Sequence, residues 1–318
     1  MSLMIKNIKG TKDLLPEITF NIQDIEKHLN RFLYIHGYGE IRTPIFEDTE
    51  LFTRSVGENT DIVNKEMYTW KDYNGQSLTL RPEMTASVVR AYIQKQLWKI
   101  EPISKFYYIG PSFRRERPQK GRLRQFHQFG VEALGSSNPE QDAEVISIAY
   151  NIYKMFGIDN LSIKINTLGS DSIREKYILE LQKSLLKFKS AFNESELNRL
   201  QKNPLRILDS KNKNIQKIVS KHAPNIFDYI SNDDKKHFNA VTQILDSMGI
   251  PYIHDNQLVR GLDYYNRTVF EVTSDNLGAQ DALCGGGRYD NLVSQLGGNS
   301  VPAMGFAAGM ERLMLAMR

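Results

Sequence analysis

The sequence predicts an α+β fold in which helices flank an antiparallel β-sheet. Segments with strand character are separated by hairpins and helices, and they do not follow a regular βαβ alternation. Residues 171–237 differ in composition, because they are rich in Lys, Asn and Ser, largely helical in pattern and devoid of strand patterning. We therefore expect a main domain formed by residues 1–170 and 238–318, interrupted by a helical insertion module at 171–237.

The first half of the chain predicts short strands between amphipathic helices. Apolar residues at helical spacing indicate a helix over about 20–36, which Gly37 ends. Residues 40–46 are typical of a strand, and Pro44 restricts that strand to an edge or a bend. Further strands are predicted at 77–80, 105–109, 125–132 and 161–165, and further helices at 85–95 and 140–156.

The last part of the chain predicts core strands and a closing helix. Residues 257–273 and 281–285 have the apolar patterning of core strands, and Gly286 and Gly287 follow them. After Pro302 the pattern predicts a final helix. One face of that helix would carry Phe306, Met310, Leu313 and Met317.

Composition excludes membrane-spanning and disulfide-rich classes of protein. The chain has 318 residues, of which 41% are hydrophobic and 25% charged, as in globular proteins. No apolar run approaches the ~20 residues of a membrane-spanning helix. The amino terminus lacks the apolar stretch of a secretory signal. Because Cys284 is the single cysteine, no internal disulfide can form, and we expect a cytoplasmic protein.

Positive charge is concentrated in two parts of the sequence. The net charge of the chain is +4, but residues 113–124 alone carry a net +5, and residues 171–237 carry another +5. Such patches attract polyanions such as nucleotides or nucleic acid. For residues 171–237 the alternative of solvated surface lysines is equally open.

Residues 113–132 predict a nucleotide-binding hairpin. Two strand-like arms flank a loop that contains Pro118 and Gly121 and is rich in arginine. A guanidinium presents a rigid fork that matches phosphate oxygens, and an adjacent aromatic ring can stack on a base. The chain has neither a P-loop nor a Gly-x-Gly-x-x-Gly motif after a strand. Taken alone, the hairpin could also be a solvated basic loop that binds nothing in particular.

Five segments together resemble the histidyl-tRNA synthetase family of class II aminoacyl-tRNA synthetases. Residues 113–128 contain Phe-Arg-x-Glu and then Arg-x-Arg-Gln-Phe-x-Gln, which resembles motif 2 of the class. Residues 305–312 resemble motif 3, and the strand around Pro44 resembles motif 1, the dimerisation element. Residues 258–265 (Leu-Val-Arg-Gly-Leu-Asp-Tyr-Tyr) and 284–290 (Cys-Gly-Gly-Gly-Arg-Tyr-Asp) resemble two signatures specific for histidine. The resemblance implies a class II synthetase-like sheet and a homodimer.

The resemblance also implies how ATP is held. Arg114 would grip the α-phosphate, and Arg122 and Arg312 would hold the γ-phosphate of a bent ATP. Phe126 would stack on adenine, with Glu116 at the edge of the base. Mg²⁺ would bridge phosphate oxygens, because the triphosphate charge exceeds what these arginines neutralise. No His/Cys spacing in the chain suggests a structural zinc site, and we expect no protein-bound metal.

The same resemblance implies a site for histidine. Glu83 would accept the α-ammonium, and Arg260 would neutralise the carboxylate and reach the α-phosphate. Glu132 and Tyr265 would fix the two imidazole nitrogens, while the glycines at 285–287 would let backbone approach the ring. Further contacts would come from Thr85, Gln128, Tyr264 and Tyr289.

Several of these residues also have a structural interpretation. Glu132 could pair with a core arginine, and Arg260 could be an ion-pair partner in a long strand. If residues 257–273 alternate as a strand, either Tyr264 or Tyr265 faces the core and only packs there. The glycines at 285–287 could form a plain turn.

The implied activity is that of a histidine–tRNA ligase, with Arg114 and Arg260 as its catalytic residues. Histidine would be activated with ATP and transferred to tRNA(His), whose acceptor stem could meet Gln119, Lys120 and the basic insertion. The family's C-terminal anticodon-binding domain is expected to be absent, because the sequence stops soon after motif 3.

That missing domain leaves two interpretations open. The chain could be a catalytic fragment of a synthetase, or it could be the synthetase-like regulatory subunit of ATP phosphoribosyltransferase, which makes no adenylate. The complete set of arginines favours the synthetase. A third reading, a module that only binds nucleic acid, leaves Glu83 and the glycine-rich segment unexplained.

Overall fold

The computed structural model describes residues 4–58, 60–119, 121–210, 212–278 and 281–317. Its strands are β1 Gly39–Glu40, β2 Phe46–Asp48, β3 Tyr68–Lys71, β4 Ser77–Leu80, β5 Ser104–Phe113, β6 Gln125–Leu134, β7 Leu161–Thr167, β8 Ile253–His254, β9 Asn266–Ser274, β10 Ala282–Arg288 and β11 Ala303–Gly309. Its α-helices are α1 Pro16–Ile35, α2 Thr49–Val56, α3 Thr85–Gln94, α4 Pro139–Met155, α5 Asp171–Leu186, α6 Glu194–Lys202, α7 Lys213–His222, α8 Asn232–Ser247, α9 Leu292–Gln295 and α10 Met310–Ala316.

The described residues form one large sheet and one small sheet. The large sheet has eight strands in the order β1-β5-β6-β11-β10-β9-β7-β8, and its inner pairs are antiparallel. The edge pairs β1–β5 and β7–β8 are parallel. In the small sheet β4 lies between β2 and β3. The predicted α+β fold with a largely antiparallel sheet is therefore confirmed.

The main apolar core joins the large sheet to helices α1, α4 and α8. It contains Leu29 and Leu33 of α1, Ile146 and Ile152 of α4, and Val241 of α8, all almost fully buried. The predicted helices at 20–36, 85–95 and 140–156 are confirmed as α1, α3 and α4. No helix among the described residues is long and apolar enough to cross a membrane.

Residues 171–237 contain helices α5, α6 and α7 and no strand among the positions that the structure describes there. Leu181, Leu205 and Ile215 of this segment belong to a second apolar cluster, which also includes residues of the main domain. Helix α8 runs without interruption through 232–247, across the predicted boundary at 237. The division into a main domain and an insertion module stays a prediction.

Two predicted strands are shorter in the structure than the pattern indicated. Within 40–46, β1 ends at Glu40 and β2 begins at Phe46, so residues 41–45 link two different sheets. Within 257–273, strand β9 begins only at Asn266, and residues 257–265 form an irregular loop. The apolar residues of that loop are buried without sheet pairing, and periodicity cannot distinguish this from a strand.

The predicted final helix is wrong in its first half. Residues 303–309 form the central strand β11, and the helix begins at Met310. A continuous run of small apolar residues fits a strand buried on both faces as well as it fits a helix. Gly286 and Gly287 likewise lie inside strand β10 and do not form a turn.

Candidate active site

An open cavity of about 310 Å³ lies where hairpin β5–β6, strands β10 and β11, the start of α3 and the loop 257–265 meet. Eleven of the predicted site residues line it, although they come from distant parts of the sequence. At the end expected to hold ATP lie Arg114, Glu116, Arg122, Phe126 and Arg312. At the end expected to hold histidine lie Glu83, Thr85, Gln128, Arg260, Tyr264 and Tyr265.

The ATP end is a cluster of guanidinium groups around one carboxylate. Glu116 accepts a hydrogen bond from Nη1 of Arg122 at 3.1 Å and has Nη1 of Arg114 at 3.8 Å. Arg114 also donates from Nε to the carbonyl of Pro82 at 2.9 Å. Its guanidinium carbon lies 5.4 Å from the centre of the Phe126 ring, a cation–π distance. These contacts hold Arg114 at the mouth of the site.

Arg312, in the first turn of α10, completes the cluster. Its Nη1 donates to the carbonyl of Ala282 at 2.5 Å. Burial lowers the pKa of Arg312, and the nearby positive charge of Arg122 lowers it further. Two guanidinium groups that repel each other across a cavity are suited to binding a polyanion between them.

Glu83 lies at the start of α3 and is almost fully buried. Its carboxylate accepts hydrogen bonds from the backbone N–H groups of Thr85, at 2.8 Å, and Ala86, at 2.9 Å. Burial raises the pKa of Glu83, while these hydrogen bonds and the charge of Arg114 act in the opposite direction. The carboxylate is thus fixed at the cavity wall, where it can accept an ammonium group.

Glu132 on β6 is fully buried directly behind the cavity and does not line it. Three hydroxyl groups donate to its carboxylate: Thr85 Oγ1 at 2.6 Å, Tyr108 OH at 3.2 Å, and Tyr289 OH through a short hydrogen bond. Burial raises the pKa of Glu132 to about 8. The partners of Glu132 are hydroxyls and not the core arginine that was the alternative. Thr85, which lines the cavity, connects Glu132 to it.

A glycine on the next strand makes room for the Glu132 carboxylate. Gly305 of β11 is paired with Glu132 of β6. A Cβ atom at Gly305 would overlap Oε2 of Glu132. Only glycine therefore allows the buried carboxylate to lie over β11.

Arg260 forms the ion pair that the sequence left open as an alternative, and it also lines the cavity. Its Nη1 donates to Oε2 of Glu271 at 2.7 Å. Burial lowers the pKa of Arg260, but the charge of Glu271, its hydrogen bond with Arg260 and the nearby Tyr265 and Cys284 together outweigh this, so that the pKa is raised. A Cβ atom at Gly285 would overlap the Arg260 guanidinium. The glycine-rich strand thus accommodates this arginine.

Tyr264 and Tyr265 both line the cavity, and their ring centres are 4.6 Å apart. The expectation that one of them only packs in the core is wrong, because it assumed a strand and the segment is an irregular loop. Gln128 is oriented by Ser112, whose hydroxyl donates to the side-chain oxygen at 3.0 Å. Tyr289, like Glu132, is buried behind the cavity.

Two acidic residues of the cavity wall were missed by sequence reasoning. Glu271 pairs with Arg260, and Glu311 accepts hydrogen bonds from the backbone N–H of His127, at 3.0 Å, and contacts its Nδ1, also at 3.0 Å. Glu271 stands as a lone acid in an apolar strand, and Glu311 precedes Arg312, which are the signals that could have found them. Among the described residues, no group of three or more His, Cys, Asp or Glu side chains could hold a metal ion.

Of the two residues predicted to contact tRNA, Gln119 lies at the tip of the β5–β6 hairpin. Gln119 exchanges two backbone hydrogen bonds with Arg122, at 3.1 and 2.9 Å, and its side chain is exposed. Gln119 does not line the cavity. Lys120 lies outside the described residues.

Comparison with known proteins shows the family of the chain. The family model described as histidyl-tRNA synthetase matches residues 10–313. A histidine–tRNA ligase of Halothermothrix orenii is 49% identical over 314 residues, which cover 98% of this chain and 74% of that protein.

Solved structures show the same fold. Apo S. aureus histidyl-tRNA synthetase has a TM-score of 0.79 at 41% identity, and the match covers 99% of this chain and 74% of that one. A Bacillus halodurans protein titled ATP phosphoribosyltransferase regulatory subunit/histidyl-tRNA synthetase has a TM-score of 0.72. At 23% identity over 100% of this chain and 84% of that one, it shares the fold.

Proposed function

The chain belongs to the histidyl-tRNA synthetase family, and on that premise we propose that it is a histidine–tRNA ligase. It activates histidine with ATP to histidyl-adenylate and then transfers the histidyl group to tRNA(His). The observation that carries this proposal is one cavity whose lining combines arginines from three separate segments with the buried Glu83.

In the first reaction a carboxylate oxygen of histidine attacks the α-phosphorus of ATP. A carboxylate oxygen–phosphorus bond forms, the bond from phosphorus to the bridging oxygen breaks, and pyrophosphate leaves with that electron pair. A carboxylate is ionised at neutral pH, so the step needs no general base. Catalysis then rests on positioning and on cations that stabilise the charge of the transition state. We assign these roles to Arg114 and Arg260, which line the same cavity.

We assign the triphosphate tail to Arg122 and Arg312, and the adenine ring to Phe126 with Glu116 at its edge. The lowered pKa of Arg312 supports this assignment, because an anion between the two guanidinium groups would relieve their repulsion. Mg²⁺ would enter with ATP, since it commonly binds through substrate phosphates and one or two carboxylates. Glu271 and Glu311 are two of the acids of the cavity wall, and they could approach it.

Histidine would bind at the buried end of the cavity. Glu83 would accept its α-ammonium group and Arg260 its carboxylate, while Thr85 and Gln128 offer further polar contacts. Tyr265 would address one imidazole nitrogen, and Glu132, buried behind the cavity, would act on the other through the Thr85 hydroxyl that it holds, with Tyr264 near the ring and Tyr289 behind the cavity. A substrate without two ring nitrogens would leave hydrogen-bonding positions of this buried network unused and be rejected.

The partners expected from the family need surfaces outside the cavity. The exposed hairpin tip around Gln119 and the basic insertion are suited to acceptor-stem phosphates. We also infer a homodimer through the region around Pro44, because Ile45, Phe46 and Trp70 expose 43%, 52% and 40% of their surface there. A cytoplasmic location fits a single buried cysteine.

The regulatory-subunit alternative has weaker support. The chain is 49% identical to a histidine–tRNA ligase, whereas its likeness to the protein titled as a regulatory subunit, at 23% identity, concerns the fold. A protein that makes no adenylate also has no need for Arg114, Arg122, Arg260 and Arg312 around one cavity.

Histidine-dependent exchange of pyrophosphate into ATP tests the proposal. We expect the wild-type protein to catalyse this exchange, and Arg260→Ala to lower its rate by about 100-fold or more, because a cation at the reacting phosphate is lost. The matched control is Arg267→Ala. Arg267 also makes one ion pair, from Nε to Asp234 at 3.1 Å, but does not line the cavity.

Two results would contradict the proposal. A folded wild-type protein without histidine-dependent exchange would favour the regulatory function. An Arg260→Ala rate equal to that of the Arg267→Ala control would remove Arg260 from the reaction and leave its ion pair with Glu271 as a structural contact.

A further inference from the structure

We propose that Arg174 and Asn203, in the segment 171–237, are positioning residues for the histidine end of the cavity. They hold the irregular loop 258–265, here called the signature loop, which carries Arg260, Tyr264 and Tyr265. The inference rests on the proposed function, because it concerns how the histidine site is kept in shape.

Arg174, in the first turn of α5, holds the backbone of the signature loop. Its Nη1 donates to the carbonyl of Asp263 at 2.7 Å and to the carbonyl of Tyr265 at 3.2 Å. One guanidinium nitrogen thus bridges the carbonyls on either side of Tyr264. Burial lowers the pKa of Arg174, and the charge of Asp263 opposes that change. A partly buried cation used in this way fixes the local course of the chain.

Asn203, just after α6, holds a side chain of the same loop. Its Nδ2 donates to Oδ1 of Asp263 at 2.9 Å. On its other side Asp263 packs against Gly57, where an added Cβ atom would overlap the carboxylate, and its backbone N–H donates to the carbonyl of Val56 at 3.2 Å. Asp263 is therefore clamped between the end of α2 and the segment 171–237.

Apolar contacts join the same two parts of the molecule. The second apolar cluster includes Leu205 and Ile207, which lie just after Asn203, together with Leu258 and Tyr264 of the signature loop. A Cβ atom at Gly261 would lie 3.2 Å from Nη1 of Arg206, so this side chain also borders the loop. The loop has no strand pairing over 258–265. Its conformation consequently depends on these neighbours.

The position of the loop matters because Arg260, Tyr264 and Tyr265 line the cavity at the end assigned to histidine. A displacement of about 1 Å in a reacting group can cost about 100-fold in rate. Arg114, Arg122 and Phe126 lie on the β5–β6 hairpin, which is held by its own strand pairing. Loosening of the signature loop should therefore raise the KM for histidine and leave the KM for ATP close to its wild-type value.

An exchange of the two side chains tests the clamp. Asn203→Asp places a second carboxylate against Asp263, and we expect the like charges to push the loop away and raise the KM for histidine about tenfold. The double variant Asn203→Asp with Asp263→Asn restores a carboxylate–amide hydrogen bond with donor and acceptor reversed. Its KM for histidine should return to within about threefold of wild type.

The segment 171–237 offers a matched control. Asn212 donates from Nδ2 to Oε1 of Glu196 at 2.8 Å, so Asn212→Asp creates the same repulsion at a distance from the signature loop. Asp can also replace Asn212 as the cap of α7. We expect the KM for histidine of this variant to equal that of wild type, and thermal unfolding to report any general loss of stability.

The outcomes separate this inference from the proposed function. If Asn203→Asp behaves like Asn212→Asp, or raises both KM values together, or is not rescued by Asp263→Asn, the positioning role is wrong. If the wild-type protein shows no histidine-dependent exchange, the proposed function fails. In that case the same variants are compared by calorimetric titration with histidine, and an equal Kd for Asn203→Asp and Asn212→Asp overturns the positioning role.

Discussion

The two ends of the cavity, which we assign to ATP and to histidine, are built in different ways. At the ATP end, charged side chains on a partly exposed hairpin pair with one another: Arg122 exposes 43% of its side chain and bonds to Glu116. At the histidine end, Glu83 and Glu132 are almost fully buried, and backbone N–H groups or hydroxyls already donate to them. One end is a set of compensated charges, and the other is a network of buried hydrogen bonds.

This difference separates affinity from specificity. A triphosphate can take over the guanidinium groups that Glu116 now holds, and such an exchange of anions gives binding that depends on salt but carries little information about shape. Buried hydrogen-bonding groups act differently, because each one left unpaired costs free energy. We therefore infer that the histidine end selects the substrate, and that the ATP end supplies charge and position.

The largest effect is expected from Glu132→Leu, which removes the centre of the buried network. Three hydroxyls, of Thr85, Tyr108 and Tyr289, lose their common acceptor, and Thr85 at the cavity wall is no longer held for the substrate. We expect histidine-dependent pyrophosphate exchange to fall about 1,000-fold or more, as when a buried polar site loses its complement. The Kd for ATP should stay within about threefold of wild type.

The control for this variant is Glu144→Leu. Glu144 accepts two hydrogen bonds from Lys105, at 2.8 Å each, and does not line the cavity. If Glu132→Leu weakens the binding of ATP and the binding of histidine to the same degree, then the two ends of the cavity do not bind their ligands independently.

The sequence predicted the ATP end more completely than the histidine end, for a physical reason. Arginines such as Arg114 and Arg122 on a hairpin are recognisable from local spacing, and both line the cavity. The loop carrying Arg260 was predicted as a strand, since burial among neighbours from distant segments imitates strand periodicity. Glu271, the partner of Arg260, was missed because an ion pair between loop and strand depends on tertiary structure.

Buried positions show the same limit of local pattern. The motif identified Glu132 as a site residue, but only the fold shows that it lies behind the cavity and bonds to Tyr108 and Tyr289. Strand β11 was predicted as helix, because a run of small apolar residues has no period that distinguishes the two. The requirement for glycine at Gly305 likewise appears only when β11 is paired with β6.

A smaller effect is expected at the ATP end from Arg122→Ala. Arg122 is partly exposed, and we assign the γ-phosphate to Arg122 and Arg312 together. We therefore expect the KM for ATP to rise only about tenfold and the KM for histidine to stay unchanged. The effect should shrink as potassium chloride is raised, because exposed charges are screened. The KM for histidine should show little dependence on salt.

Arg117→Ala is the matched control, because Arg117 lies in the same loop, is exposed and does not line the cavity. If Arg117→Ala raises the KM for ATP as much as Arg122→Ala does, the loop attracts ATP through its overall charge, and Arg122 makes no specific contact. A histidine KM that depends on salt as strongly as the ATP KM would contradict the contrast between the two ends.

The smallest effect is expected in the pH dependence of stability. Burial raises the pKa of Glu132 from 4.5 to about 8 in the folded protein without ligand. Over this interval the folded state holds a proton that the unfolded chain has lost. The stabilisation that Glu132 contributes is fully present below its pKa in the unfolded chain. It is lost as the pH rises through its pKa in the folded protein. Stability should therefore fall with rising pH by about 1.4 kcal/mol per pH unit from this group within the interval.

Glu132→Gln removes that proton while keeping a hydrogen-bonding side chain of similar size. We would measure its free energy of unfolding by urea titration at several pH values between 5 and 8. This free energy should fall less steeply with pH than that of wild type. The two slopes should differ by the equivalent of about one proton, which is about 1.4 kcal/mol per pH unit. Other groups, such as His127, whose pKa Glu311 raises, titrate in both proteins and cancel in the difference. Equal slopes would mean that Glu132 is already ionised in the folded protein. The histidine end would then resemble the ATP end, with a compensated charge in place of a neutral hydrogen-bond network.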